Sequence, residues 1–248
     1  MAHKSLQHLD HRPWPLPRSP WIIAQTWANL LFAHWRVPES SLRQQIPETL
    51  DIDTFDGEAW IGVVPFELTI RPRLMPVVPV VASFPELNVR TYVSYQGKPG
   101  VWFFSLDATS PLAVRAARRA FNLPYYDARM SCHKTGERVE FNSVRKPSIV
   151  PADFTGWYEP VSKPRKADPA SLEAWLTERY CLFAANKRDQ VFCTEVHHAQ
   201  WPLQDARGEI ETNSMTSSIG IELQGEPLLH FARHIDVVNW GPARVPTS

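Results

Sequence analysis

The chain is expected to be a mainly β protein of the α+β class, its short strands curling into a barrel with a few short helices. Three observations carry that expectation. Several segments alternate apolar and polar residues with the period of two that strands require. Twenty-three prolines stand against ten glycines, and proline interrupts helices because it lacks the amide donor and clashes with the preceding turn. No linker divides the middle of the chain, so one barrel domain over 27–248 is expected behind an irregular arm over 1–26.

Composition narrows the function classes. The 248 residues carry 26 Lys+Arg against 26 Asp+Glu, so the chain lacks the basic field that general nucleic-acid binding needs. No run of 18 apolar residues is present, which argues against a membrane span. The N-terminal MAHKSLQHLDHRPWPLPRSP has no apolar core of a secretory signal. Three cysteines without metal-type spacing fit reduced thiols in the cytoplasm.

Taken in order, the apolar residues from Trp27 to Trp35 read as a strand. Residues 38–46 read as a short helix with Pro38 near its first position and Pro47 ending it. Residues 59–70 read as a strand broken at Pro65, which suggests an edge or a bulge. The proline-rich stretch 71–85 is long for a loop and reads as a packed connector or a lid. Residues 87–95 alternate cleanly, with Asn88, Arg90, Tyr92 and Ser94 on the polar face. A turn over 97–100 leads to the partner strand VWFFSLD. Ser110 and Pro111 open a helix that ends before Pro124. Further strands are expected at 127–133, 136–144, 191–200, 207–213, 217–224 and 228–238. A last helix is capped by Asp168 and opened by Pro169, with Leu172, Trp175, Leu176 and Arg179 at helical spacing.

No dinucleotide fingerprint, phosphate-binding loop or nucleophile elbow is present. Glu195 and His197 share a strand face, as do His230, His234 and Asp236, and together they could form a two-histidine-plus-carboxylate metal site. The plainer reading, strand-edge polar residues, is preferred, so no metal is expected. Arg115, Arg118 and Arg119 read as a solvated helix side, and Cys132, Cys181 and Cys193 as buried spectators.

Two segments carry a family resemblance: HWRVPESSLRQQIPETLDID (34–53) and RRAFNLPYYDARM (118–130). With WIGVVPF, ELNVR, PGVWFFSLD and HHAQWPLQDA they resemble the YqjF-like family of bacterial proteins. More distantly, they are similar to acetoacetate decarboxylase. The latter resemblance implies a closed or cone-shaped barrel around an apolar pocket, and a homo-oligomer. It places Arg36, beside Trp35, where the decarboxylase arginine faces the substrate carboxylate. It also places Glu86 at a pocket glutamate, with Asn88 as the alternative two residues on.

The departure from that pattern is at Pro-Lys-Lys, whose first lysine forms the Schiff base. Here Pro124 is followed by Tyr125 and Tyr126, and a phenol cannot condense with a ketone as an amine does. Imine-dependent decarboxylation is therefore not expected, and no cofactor is implied. Glu86, Tyr125 and Tyr126 are the candidate acid/base and hydrogen-bonding groups, and Arg36, Trp35 and Asn88 the candidate ligand-holding ones. Such a set suits proton abstraction or dehydration at a small oxo or hydroxy acid. A non-catalytic binding barrel and a solid barrel with Arg36 and Glu86 as a salt bridge remain open alternatives.

Overall fold

The computed structural model describes residues 3–73, 83–146 and 150–246, and in the helix over 111–121 it leaves out the side chains of 112–114, 116 and 117. Its elements run β1 (Ile23–Val37), α1 (Glu39–Arg43), β2 (Asp51–Ile52), β3 (Ala59–Pro72), β4 (Ser83–Tyr95) and β5 (Lys98–Ala108). Next come α2 (Pro111–Phe121), β6 (Tyr125–Thr135), β7 (Arg138–Arg145), β8 (Asp153–Pro160), α3 (Leu172–Thr177) and β9 (Cys181–Ala185). The last strands are β10 (Val191–His198), β11 (Gln204–Asn213), β12 (Leu228–Asn239) and β13 (Ala243–Arg244). The mainly β class stands.

The strands form one sheet that closes on itself twice. The wall β5-β4-β3-β1-β12 is continued from β5 to β12 by β6-β7-β8-β11, and a second time by β9-β10. Both closures use the same two wall edges: β5 pairs with β9 near Val101 and with β6 near Leu106. β12 pairs with β11 near Phe231 and with β10 near Val238. Apolar residues consequently line both faces of the wall. Leu31, Ala33, Val63, Leu87 and Val89 cluster with Val139, Phe141, Phe154 and Tyr158. Phe32, Val64, Phe66, Leu106 and Ala108 on the opposite face cluster with Ala184, Val196 and Trp201. β4 is buried at every position from Glu86 to Val93.

Several sequence expectations change in detail. Pro65 does not interrupt β3; between the pairs Ala28–Glu67 and Ala33–Val63, β1 carries one extra residue as a bulge, with Asn29 at φ 49°. The β4–β5 turn is Gln96-Gly97, both residues having positive φ, as a two-residue hairpin turn of matching twist requires. Lys98 and Pro99 already belong to β5. α3 is capped by Ser171, whose hydroxyl accepts from the Ala174 amide, while Asp168 and Pro169 form the turn before it. Residues 217–219 form a 3-10 turn ended by Gly220 at φ 69°, not a strand. β8 and β9 were not anticipated. Residues 23–26, expected in the arm, begin β1. Residues 74–82 of the proline-rich stretch lie outside the described residues.

The arm before β1 is tied down by side chains rather than simply laid on the surface. Arg12, its side chain 1% exposed, donates to the Val196 carbonyl (2.6 Å) and pairs with Glu195. Trp14 Nε1 donates to the same carboxylate (2.9 Å), and His197 Nε2 is bonded to the Ser5 carbonyl (2.9 Å). Removing one partner of a buried ion pair strands the other, although Lys98 still reaches Glu195. Arg12→Ala should lower stability by about 3 kcal/mol in chemical denaturation; a loss below about 1 kcal/mol would identify the arm as a dispensable appendage.

A buried carboxyl and phenol on the inner wall

Glu86 lies on β4 opposite Phe66 of β3 and Ala108 of β5. It is 2% exposed. Its neighbours on this face are largely apolar, and its one side-chain partner among the described residues is Tyr125, whose hydroxyl donates to Oε2 at 3.1 Å. Burial pushes the Glu86 carboxyl up to about 8, against a smaller opposing effect of the Tyr125 hydrogen bond; nearby Asp107 adds to the rise. Burial likewise pushes the Tyr125 phenol well above its ordinary value, with the Glu86 charge adding to the effect. At neutral pH, therefore, both are predominantly protonated.

The backbone at Tyr125 is fixed where α2 hands over to β6. The Tyr125 amide donates to the Leu123 carbonyl (2.8 Å), and Arg118 Nε donates to the Tyr125 carbonyl (2.6 Å). Arg118 is thus a clamp on the strand start as well as part of a helix side. Successive residues on a strand point to opposite faces, and Tyr126 departs accordingly. It is 37% exposed, and the Arg145 guanidinium lies 4.0 Å from its ring centroid. Arg145 is held by two 2.7 Å bonds to the buried Asp107.

The expected gathering of all the candidate residues is corrected in part. Glu86 and Tyr125 meet, and Asn88 sits two residues from Glu86 on the same strand face, 8% exposed, with Oδ1 unpartnered. Tyr126 does not join them. Arg36 is exposed and lies over the Trp60 ring at 5.3 Å; it falls beyond His34, the last β1 residue paired with β12. It makes no salt bridge with Glu86. Trp35 faces the opposite core and donates to the Gly225 carbonyl (3.2 Å).

The sequence reading passed over Arg90. It shares the inward β4 face with Glu86 and Asn88, is 8% exposed, and donates from Nη2 to the Leu176 carbonyl at 3.2 Å. Next to it His34 packs over Gly62, where a Cβ would approach the imidazole to 3.0 Å. His34 Nε2 and the Tyr92 hydroxyl share a 2.7 Å hydrogen bond. Burial, with Arg90 and His230 nearby, holds His34 well below the usual imidazole range, so it is neutral.

The considered histidine–carboxylate metal set does not assemble. Glu195 is bound by Arg12 and Lys98, and Asp236 by Lys4 (2.5 Å) and Thr26 (2.8 Å). Another set, Glu173, Asp205 and His230, does come together. Arg165 already bridges its two carboxylates, at 2.5 and 2.9 Å, and holds Glu173 down to about 2.

The architecture is an acetoacetate decarboxylase-like fold. The structure superposes on the enduracididine biosynthesis enzyme MppR, complexed with the condensation product of pyruvate and imidazole 4-carboxaldehyde, with a TM-score of 0.68. The two are 10% identical over 91% of this chain and 90% of that one. An acetoacetate decarboxylase-like enzyme from Sphingomonas wittichii RW1 matches with a TM-score of 0.63 and 11% identity, over 92% and 94% of the two chains. Within this fold the chain belongs to the DUF2071 family of uncharacterised conserved proteins, whose profile matches residues 24–236. It is 47% identical over 227 residues to the uncharacterised protein YqjF of Bacillus subtilis, covering 91% of this chain and 93% of that one. Among the described residues no helix is long and apolar enough to cross a membrane.

The raised Glu86 carboxyl has a stability consequence. Unfolding releases its proton between about 4.5 and about 8, so its contribution is full below that window and falls by up to about 1.4 kcal/mol per pH unit within it. Glu86→Gln lacks this slope. The melting temperature of the variant relative to the natural protein should therefore climb from pH 5 to pH 8, and a constant offset would show that Glu86 titrates normally.

Proposed function

We propose that this protein performs acid/base chemistry on a small oxo or hydroxy acid, with Glu86 as the proton-transferring group and no Schiff base. The single observation that carries the reading is the Glu86 carboxyl, buried on an apolar inner wall, raised to about 8 and touched by a phenol. A carboxyl poised near neutrality both accepts and returns a proton efficiently. When a C–H bond next to a carbonyl breaks, Glu86 takes the proton and the electron pair moves onto the carbonyl oxygen. The Tyr125 hydroxyl then turns from Glu86 to donate to that developing oxyanion.

The lysines support the exclusion of imine chemistry. Six of the seven are exposed, and the seventh, Lys98, is half-buried and bound to Glu195. An imine-forming amine needs desolvation or a cationic neighbour to lower its pKa, whereas Lys98 is shifted upward by its bond to Glu195 despite partial burial. Three free thiols are in keeping with a reducing cytoplasm. Pyruvate, which is bound to MppR in a second structure of this fold, is a suitable first probe.

The test is exchange of the pyruvate methyl protons for deuterium, followed by NMR. Exchange should rise with pH as Glu86 ionises, through about 8. Glu86→Gln should slow it about 100-fold or more, and Tyr125→Phe by roughly 100-fold, with both variants still folded. Exchange undiminished in Glu86→Gln overturns the reading. Thermal stabilisation by short oxo and hydroxy acids with no exchange or dehydration would leave a binding protein instead.

A further inference from the structure

Alternate residues of β4 place a carboxyl, an amide and a guanidinium on one buried face: Glu86, Asn88 and Arg90. Arg90 is the anomaly among them. Every other buried arginine of this chain has a carboxylate: Arg12 has Glu195, Arg145 has Asp107 and Arg179 has Asp53. Arg90 has none among the described residues. Its Nε is buried and unpartnered, as are Asn88 Oδ1 and His34 Nδ1. The guanidinium lies over the Phe32 ring at 5.3 Å and beside the Tyr92 ring at 5.9 Å. Phe32 belongs to the same inner cluster as Phe66 and Tyr125, so the cation lies against the apolar cluster that also packs around Glu86.

An always-protonated fork without a counter-charge in an apolar enclosure is expensive to keep, unless an anion completes it. The surroundings do not cancel it: Arg179 is already matched by Asp53 at 2.5 Å, and His34 is neutral. The excess on this face is one positive charge. A planar carboxylate is the ligand that a guanidinium edge accepts through two parallel hydrogen bonds.

We infer that Arg90, not Arg36, is the anion-binding residue of the interior, and that it holds the single carboxylate of a short monocarboxylic acid whose other end reaches toward Glu86. Asn88, lying between them on the strand, positions the middle of the ligand through its amide. This assignment rests on the proposed function for the role of Glu86, but not for the binding itself. The competing role for Arg90 is purely structural, as a donor to the Leu176 carbonyl at the end of α3.

The two roles separate by ligand charge. Acetate, lactate, pyruvate and acetoacetate are titrated against the intact protein by thermal shift and calorimetry, beside neutral pyruvamide. At least one monocarboxylate should bind, and pyruvamide should not. Arg90→Met should weaken that binding by about 10- to 100-fold, with partial recovery in Arg90→Lys. Asn88→Asp supplies the missing carboxylate from within the chain, so it should raise the melting temperature of the ligand-free protein and abolish acid binding. That variant decides the matter should Arg90→Met fail to fold. Binding of none of the acids, equal binding of pyruvamide, full binding by Arg90→Met, or destabilisation by Asn88→Asp overturns the inference. Glu86→Gln should keep acid binding. Binding without exchange would sink the catalytic reading alone, and exchange insensitive to Arg90 would sink this one alone.

Discussion

Burial of the central wall on both faces is the constraint from which the rest of the structure follows. A sheet with one face in water exports its polar residues to that face, and β4 has no such outlet. Its apolar residues Leu87, Val89 and Val93 pack into one core. Its polar residues Glu86, Asn88 and Arg90 are therefore turned into the other. Once inside, each must be satisfied locally or change its protonation. Asp107 and Arg145 take the first course, as a buried bidentate pair. Glu86 takes the second and holds its proton. The raised carboxyl at the inner wall is thus a consequence of topology: the double closure removes the solvent that would have kept this side chain ordinary.

The strand pattern was readable because period-two alternation survives even where both faces are buried. Leu87–Tyr95 is the clearest instance, and the helix opened by Pro111 falls where its proline predicts. β8 escaped notice because Gly156 interrupts the apolar pattern; a Cβ there would lie 2.5 Å from the Glu209 carbonyl of β11, so the glycine serves close strand approach rather than a turn. β9 is only five residues long, too short for periodicity to register. The segment after Thr216 looked like a strand by composition, yet Gly220 in the left-handed region turns the chain instead.

The site was legible only in part, for a different reason. Glu86 and Tyr125 were reached by resemblance, and the structure joins them at 3.1 Å. Two neighbouring tyrosines on a strand point to opposite faces, but the strand was expected only from 127, so the separation of Tyr126 from Tyr125 came with the observed start of β6 at Tyr125. Arg36 was placed by motif alignment, and motif position does not reveal that the Arg36 side of β1 is open to solvent while Trp35 and Val37 are buried. Arg90 was in plain view as part of a polar strand face. Its meaning depended on knowing that this face turns inward, which requires the closure of the sheet and so lies beyond local sequence. The available signal was a Glu and an Arg four apart on one face of a strand expected in a closed barrel.

That spacing also explains how a protonated acid and an unpaired cation coexist on one strand. Strand residues rise by about 3.3 Å each, so four positions separate Glu86 from Arg90 by roughly 13 Å of backbone. Were they close neighbours they would pair directly, as Asp53 and Arg179 do at 2.5 Å. No basic side chain is among the groups acting on the Glu86 carboxyl. The pleat thus holds the two groups too far apart along the strand to pair directly. Asn88 in the gap is neutral and offers both a donor and an acceptor, so it bridges neither charge and leaves both available. An aspartate at position 88 would instead face Arg90, and a lysine there Glu86, as an internal salt bridge across one pleat.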